Sequence, residues 1–218
     1  IVKEPREKEH THVIPDTREG WVESLKLSVN AFFGGMNYIF DYSDIREAGE
    51  PIKTFGGIAS GAEPLKALHE SVKNILSRRV GEEITQTDIA DIANLIGVCV
   101  VSGNVRRSAE IVLGNDNEEF LNLKNYEKNP ERIGHGWASN NTVMASVGDD
   151  YSHIAERIAK ESEPGIMWIE NFRKYGRMRE DELAFDGRIL GGNPCFSYDT
   201  NILTENGYRK IGDLDGKS

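Results

Sequence analysis

TQTDIADIANLIGVCVVSGNVRRSAEIVLG, residues 85–114, decides how the chain is read. Ile89, Ile92, Ala93 and Ile96 recur at three and four, the spacing of one helical face. That spacing predicts a helix from Thr85 to about Val98 with these four as its buried stripe. Thr85 followed by Asp88 resembles a capping box with Asp in place of Glu. The valines around Cys99 read as a buried strand with the cysteine as a small core residue, since nothing nearby would lower its pKa. A polar turn then leads into Ile111-Val112-Leu113. Helices alternating with short buried strands predict an α/β layout.

The same alternation extends outward. Asp16 and Thr17 offer N-caps for a helix carrying Trp21, Leu25 and Val29 at a spacing of four. Pro64 opens another with Leu65, Leu68, Val72 and Ile75, closed by Gly81 near Arg78 and Arg79. Between them lie a strand-like NYIFDYSDI (37–45) and a glycine-rich loop, KTFGGIASGAEP (53–64). The first dozen residues are charged and without periodicity, as in an exposed lead-in. Ile154 and Ile158 mark a helix ended by Pro164-Gly165, and Ile166 to Ile169 read as a buried strand.

With 36 acidic against 26 basic residues in 218, the net charge of −10 argues against a dedicated nucleic-acid binder. No apolar stretch approaches the roughly 20 residues of a membrane span. Two cysteines, Cys99 and Cys195, build no disulfide framework, so a reducing, cytoplasmic compartment is expected. The chain starts at Ile1 without a Met and stops at Ser218 in what reads as a structured segment, as an excerpt of something longer would.

Arg106 and Arg107, flanked by Gly103, Asn104 and serines, can clamp phosphate or stack on a base; they can equally pair with Glu110. Arg46 has the same two readings. Ser139-Asn140-Asn141 can present amides to a nucleotide or build a turn. The five histidines are scattered and define no metal site. Cys195, after Gly191-Gly192-Asn193-Pro194, sits on a constrained loop tip that suits a reactive sulfur as well as a structural one. Beyond it, Ile202-Leu203-Thr204 and Tyr208 to Ile211 flank Asn206-Gly207, a strong hairpin signal. A boundary is expected between Pro194 and Cys195, giving segments 1–194 and 195–218; the 24-residue tail cannot bury a core of its own.

The order IPDTREGW, DYSDIREAG, FGGIASG, ADIANLIG, SGNVRRSAEI, WASNN, EPGI, NFRKYGR and GGNPC resembles the monomeric, adenosylcobalamin-dependent (class II) ribonucleoside-triphosphate reductases from about Val13 to Cys195. The resemblance implies an interior part of their ten-stranded α/β barrel. It also implies an adenosylcobalamin cofactor, a ribonucleoside triphosphate substrate, thioredoxin or a similar dithiol as reductant, and a monomer when complete. In that family a thiyl radical on the cysteine of an Asn-Pro-Cys loop abstracts the 3′ hydrogen of the ribose. Asn193 matches the asparagine that binds the ribose, and Cys195 the radical cysteine. Asp16 and Arg46 align with segments that hold an allosteric deoxynucleoside triphosphate. Gly103, Asn104, Arg106 and Arg107 look like the specificity loop that relays effector identity.

After the cysteine the family has Gly-Glu-Ile, where this chain has Phe196-Ser197-Tyr198. The tail, Cys195-x-x-x-Asp199-Thr200-x-Ile202-Leu203-Thr204 and then Ile211-Gly212-Asp213-Leu214, looks like the N-terminal block of an intein, an all-β element. That likeness implies a splice junction at Pro194-Cys195, with Cys195 as the splicing nucleophile in cis or, in a split intein, in trans. A decayed nucleotide-binding fragment is the remaining alternative.

Overall fold

One helix lies between two hydrophobic clusters in residues 1–167, and a second unit begins at Trp168. The computed structural model describes residues 1–5, 8–52, 56–103, 108–176, 185–192, 199–204 and 207–213, with the backbone alone at 202, 203 and 211. The expected boundary at Pro194-Cys195 falls outside the described residues.

The first unit opens with strand β1 (Glu9–Val13), helix α1 (Arg18–Gly34) and strand β2 (Asn37–Asp41). β1 and β2 pair in parallel, Thr11 opposite Ile39, so α1 is the crossover that parallel pairing needs. Helices α2 (Glu63–Ser77) and α3 (Gln86–Val101) follow. Next come strand β3 (Glu110–Gly114), the short helix α4 (Glu118–Leu121), and two 3-10 turns, Pro130–Gly134 and Gly136–Ala138. Strand β4 (Ser139–Ala145), helix α5 (Ser152–Glu161) and strand β5 (Gly165–Trp168) complete a three-stranded sheet ordered β3-β4-β5, in which β3 and β4 are parallel. The mixed α/β architecture is as the sequence predicts, and the β1-β2 and β3-β4 pairs are parallel.

The first cluster gathers Val2, Ile14, Phe32, Ile45, Leu65, Leu68, Val72 and Leu76. The second gathers Ala90, Phe120, Leu121, Leu123, Val143 and Ile154. α3 serves both: Ile92, Leu95, Ile96 and Cys99 pack on the first, and Ala90 belongs to the second. Its capping box is complete, with Thr85 Oγ1 accepting from Asp88 N–H and the Asp88 carboxylate accepting from Thr85 N–H.

Several expectations are corrected. Ile89 is 56% exposed, and the fully buried residues of α3 are Asp88, Ala90, Asp91, Asn94 and Gly97. Asp88 and Asp91 are buried because each meets a guanidinium, Arg79 and Arg132 respectively, at 2.7 Å. The valine run around Cys99 is the last part of α3 rather than a strand; packing on the first cluster outweighs the weak helix propensity of valine. The lead-in is not loose. Val2 is buried and bridges Val80, and residues 9–13 form β1, which turns His10 and His12 toward Tyr38 and Phe40. α1 buries Gly20, Ser24, Ser28 and Ala31, while Trp21, Leu25 and Val29 flank that stripe half-buried. In β5 only Met167 is buried, and Ile169 starts the next helix.

In the second unit, helix α6 (Ile169–Tyr175) and strands β6 (Asn201–Thr204) and β7 (Gly207–Lys210) are described. β6 and β7 form an antiparallel hairpin with Thr204 opposite Gly207. β7 therefore begins at Gly207 (φ +88°), one residue earlier than it would if Asn206-Gly207 were the turn pair. Arg173 Nε donates to Ile189 C=O at 3.1 Å, and Asp186 N–H donates to Arg173 C=O at 2.9 Å, fastening the segment 185–192 to α6.

Leu76 is fully buried and Ile89 is not. Chemical denaturation should therefore find Leu76→Ala destabilising by about 2–5 kcal/mol and Ile89→Ala by about 0.5 kcal/mol or less.

Candidate functional site

Pro15 begins the site. Its carbonyl oxygen would lie 2.5 Å from a Cβ on Gly20, so only glycine lets the first turn of α1 close over it. Thr17 caps the helix, its Oγ1 accepting from Gly20 N–H at 3.0 Å. Thr17, not Asp16, is thus the N-cap, and the Asp16 carboxylate is available to Arg46, whose Nε reaches its Oδ2 at 2.6 Å. Ile45, the residue before Arg46, is buried in the first cluster. Both partners of the ion pair are about one-third exposed. Arg46 spends only Nε on Asp16, so among the described residues its two terminal nitrogens stay available.

Behind this pair runs a buried network the sequence reading missed. Ser24 Oγ donates to Trp21 C=O at 2.8 Å and so accepts from His69 Nε2 at 3.2 Å. The Tyr42 hydroxyl then donates to His69 Nδ1 at 2.7 Å. The network assigns the proton to Nε2 and joins α1, α2 and the start of the loop that carries Arg46. Burial, and secondly the nearby His12, push the His69 pKa down to about 4. Burial, helped by Glu70, pushes the Tyr42 phenol up to about 12. The signal was present as small and polar residues at three- and four-residue spacing in α1 (Gly20, Ser24, Ser28, Ala31), a stretch of buried face that ends in Phe32.

A second missed cluster lies on α3. Asp91 Oδ1 accepts from Arg132 Nε at 2.7 Å and lies 2.8 Å from His135 Nε2. Here too the spacing was legible: Asp88, Asp91, Asn94 and Gly97 recur every three residues.

Of the expected effector and loop residues, Asp16 and Arg46 are brought together. Gly103, at φ +85°, follows the end of α3 and lies against Ser60 of the glycine-rich loop. Asn104, Arg106, Arg107, Asn193, Pro194 and Cys195 lie outside the described residues. Ser139 and Asn141 build no turn: they lie buried in β4, bonded to each other at 3.2 Å. No group of three metal-ligating side chains is found among the described residues, and no described helix is long and apolar enough to cross a membrane.

Residues 3–76, which include Asp16, Arg46, Tyr42 and His69, match the family model described as the insertion domain of B12-dependent ribonucleotide reductase. The chain is related to the B12-dependent ribonucleotide reductases. It is 49% identical over 201 residues to a probable adenosylcobalamin-dependent ribonucleoside-triphosphate reductase of Dictyostelium discoideum, covering 88% of this chain and 26% of the relative. It is 53% identical over 185 residues to the adenosylcobalamin-dependent ribonucleoside-triphosphate reductase of Euglena gracilis, covering 84% of this chain and 25% of the relative. A crystal structure of a class II, B12-dependent ribonucleotide reductase superimposes with a TM-score of 0.69 at 37% identity, over 78% of this chain and 24% of that one. The chain thus spans about a quarter of the length of the reductases it matches. The Asp16–Arg46 pair and the His69 network both fall within the stretch matched as the reductase insertion domain.

His69 is held neutral in the fold, whereas an unfolded chain would protonate it near 6.5. Its contribution is therefore intact above about pH 6.5, and stability is lost as pH falls toward 4, because the unfolded state takes up the proton first. Thermal melts between pH 7 and 4.5 should show a loss on the order of 2 kcal/mol from this group, and His69→Gln should flatten that part of the profile.

Proposed function

We propose that this chain is part of an adenosylcobalamin-dependent reductase that converts ribonucleoside triphosphates to deoxyribonucleoside triphosphates. In this reading residues 3–76 receive a deoxynucleoside triphosphate effector at Asp16 and Arg46, and an intein begins at Cys195. The observation that carries the effector assignment is the Asp16–Arg46 pair, 2.6 Å apart and partly exposed, inside the stretch matched as the reductase insertion domain. Asp16 fixes the plane of the guanidinium through Nε and leaves the terminal nitrogens to donate to phosphate oxygens. The pair stands beside the N-terminus of α1, whose free N–H groups and dipole favour an anion.

Neither of the two best-formed cavities among the described residues has the volume for a corrinoid. They measure about 240 Å³ and 390 Å³, at the small end for even a drug-sized ligand. The cofactor's contacts are therefore assigned outside the described residues. For catalysis the reading assigns Asn193 to the ribose and the cysteine of the Asn193-Pro194-Cys loop to the thiyl radical, with thioredoxin or another dithiol as reductant and a complete enzyme that acts as a monomer in the cytoplasm. The barrel of that enzyme would include β3 and β4.

The antiparallel hairpin of β6 and β7, formed by the tail's two strand-like segments, supports the intein reading. In the first step the Cys195 sulfur attacks the Pro194 carbonyl carbon. The Pro194–Cys195 amide bond breaks, a thioester forms, and the thiol proton passes to the released amine. Splicing then restores the Asn-Pro-Cys loop with the first cysteine of the downstream segment, so Cys195 itself would be absent from the mature reductase.

Calorimetric titration with each deoxynucleoside triphosphate and Mg²⁺ tests the effector site. One or more should bind, and Arg46→Ala should weaken that binding by about tenfold or more, with Arg46→Lys a poor substitute because it loses the forked geometry. Absence of binding by all four would sink the assignment. The coding sequence tests the intein: an open frame past Ser218 that reaches His-Asn and then Cys-x-Glu supports splicing in cis, and a stop soon after Ser218 supports splicing in trans or decay.

A further inference from the structure

No residue of helix α6 is fully buried, yet the segment 185–192 is fastened to it at three places. Asp186 N–H donates to Arg173 C=O at 2.9 Å, and Arg173 Nε donates to Ile189 C=O at 3.1 Å. The third is a close approach at a glycine: a Cβ on Gly192 would run into the Phe172 ring, 3.0 Å from its Cδ1. Gly176, just past the helix, makes room for Ile189 in the same way, whose Cδ1 lies 2.6 Å from where a Cβ would be.

Between the first two anchors the chain is a turn with its own lock. Ile189 N–H donates to Asp186 C=O at 3.2 Å. The buried Asp186 carboxylate accepts from Arg188 N–H at 3.0 Å and from the Arg188 guanidinium at 2.8 Å and 2.9 Å. Arg173 also lies over the Phe185 ring, 5.7 Å from its centre. The anchors thus fall on residues 186, 189 and 192, and the last stands two residues before Pro194.

Hydrogen bonds and one aromatic contact hold this dock, without a buried side chain from α6, so it exists only while both partners are folded. Asn193 and Pro194 then separate Gly192 from Cys195. A proline ring fixes its own φ, and a residue before proline is confined to extended conformations, so an Asn-Pro run carries little slack. The position of Gly192 is therefore passed on to the carbonyl of Pro194.

We propose that docking of 185–192 on α6 positions the Pro194–Cys195 bond for splicing, so that this part of the host must fold before the junction reacts. This rests on the intein reading given above. Phe172, Arg173 and Gly192 are positioning residues; none is assigned a contact with the reacting atoms. The step they serve is the first, in which Cys195 Sγ attacks the Pro194 carbonyl carbon, the amide bond breaks, a thioester forms and the thiol proton passes to the released amine. Misplacing a reacting group by about 1 Å costs on the order of a hundredfold in rate.

The experiment uses the precursor translated from the complete reading frame, with its partner half supplied where the intein is split. Dithiothreitol captures the first thioester: its thiolate attacks the Pro194 carbonyl carbon, the Cys195 thiolate leaves, and residues 1–194 are released. The rate at saturating dithiothreitol reads the acyl shift, and a thermal melt in the same buffer gives the folded fraction. Arg173→Ala should slow release per folded precursor by about tenfold or more. Arg173→Lys, which keeps a donor for the Ile189 carbonyl, should recover part of that loss. Gly192→Ala, which pushes the chain off Phe172, should slow release in the same way and serves as the second variant should Arg173→Ala fail to fold. If the native precursor neither splices nor releases residues 1–194, the intein reading falls and the positioning with it. If it reacts, and the variants only lower the melting temperature while release per folded precursor stays within about twofold of native, the positioning alone is overturned.

Discussion

The ion pair between Arg132 and Asp91 is the constraint on which the first unit depends. Arg132 is 1% exposed, gives Nε to Asp91 and Nη1 to Leu123 C=O, and so fastens the 3-10 turn to both α3 and the chain after α4. A buried pair of this kind adds little net stability relative to an apolar replacement, yet removal of one partner costs roughly 3–5 kcal/mol by stranding the other charge. Its contribution is geometric. Among the described residues α3 is the one helix shared by the two hydrophobic clusters, and Asp91 specifies its rotation about its own axis. With Asp91 and Asn94 facing the 3-10 turns, Ile92, Leu95 and Cys99 must face the first cluster.

That rotation reaches the rest of the unit through close approaches. Gly97, one turn beyond Asn94, leaves space for the Glu110 carboxylate, which a Cβ would meet at 2.5 Å. Burial raises the Glu110 pKa, so the same packing that seats β3 beside α3 favours the neutral acid. β3 then sets β4 in parallel register, Glu110 opposite Ser139. A polar stripe on one helix thus determines where a strand lies and where the segment after Gly103 begins.

The sequence made the order of elements legible because it is written in apolar periodicity, as Leu65, Leu68, Val72 and Ile75 of α2 show. It misled wherever burial is polar or small. Ile89 looks like core and is solvent-facing, since Asp88 and Asp91 bring their own guanidinium partners from positions 79 and 132. Those partners lie 9 and 41 residues away, and no local pattern reports them. In α1, Trp21, Leu25 and Val29 do pack half-buried on the first cluster, but Gly20, Ser24, Ser28, Ala31 and Phe32 beside them are the residues that are buried. At the candidate site, Asp16 and Arg46 were picked out by the family resemblance. Their contact, and the His69 network behind it, depend on a chain reversal at Pro15 that becomes visible only when Gly20 is seen against the Pro15 carbonyl.

The two cysteines complete the argument about where sulfur chemistry can reside. Cys99 is half-buried on α3 against the first cluster, and burial pushes its thiol up to about 11. At neutral pH it is a thiol, and among the described residues neither a cation nor a helix N-terminus draws out the thiolate. It sits four residues before Gly103, inside the helix whose rotation Asp91 fixes, and behaves as a small apolar side chain. Of the two cysteines in the sequence, Cys195 alone follows a Gly-Gly-Asn-Pro run rather than lying among core residues. The two proposed chemistries therefore meet at one loop position and not at one sulfur: the splicing step uses Cys195, and the radical step uses the downstream cysteine that splicing would bring to the same place.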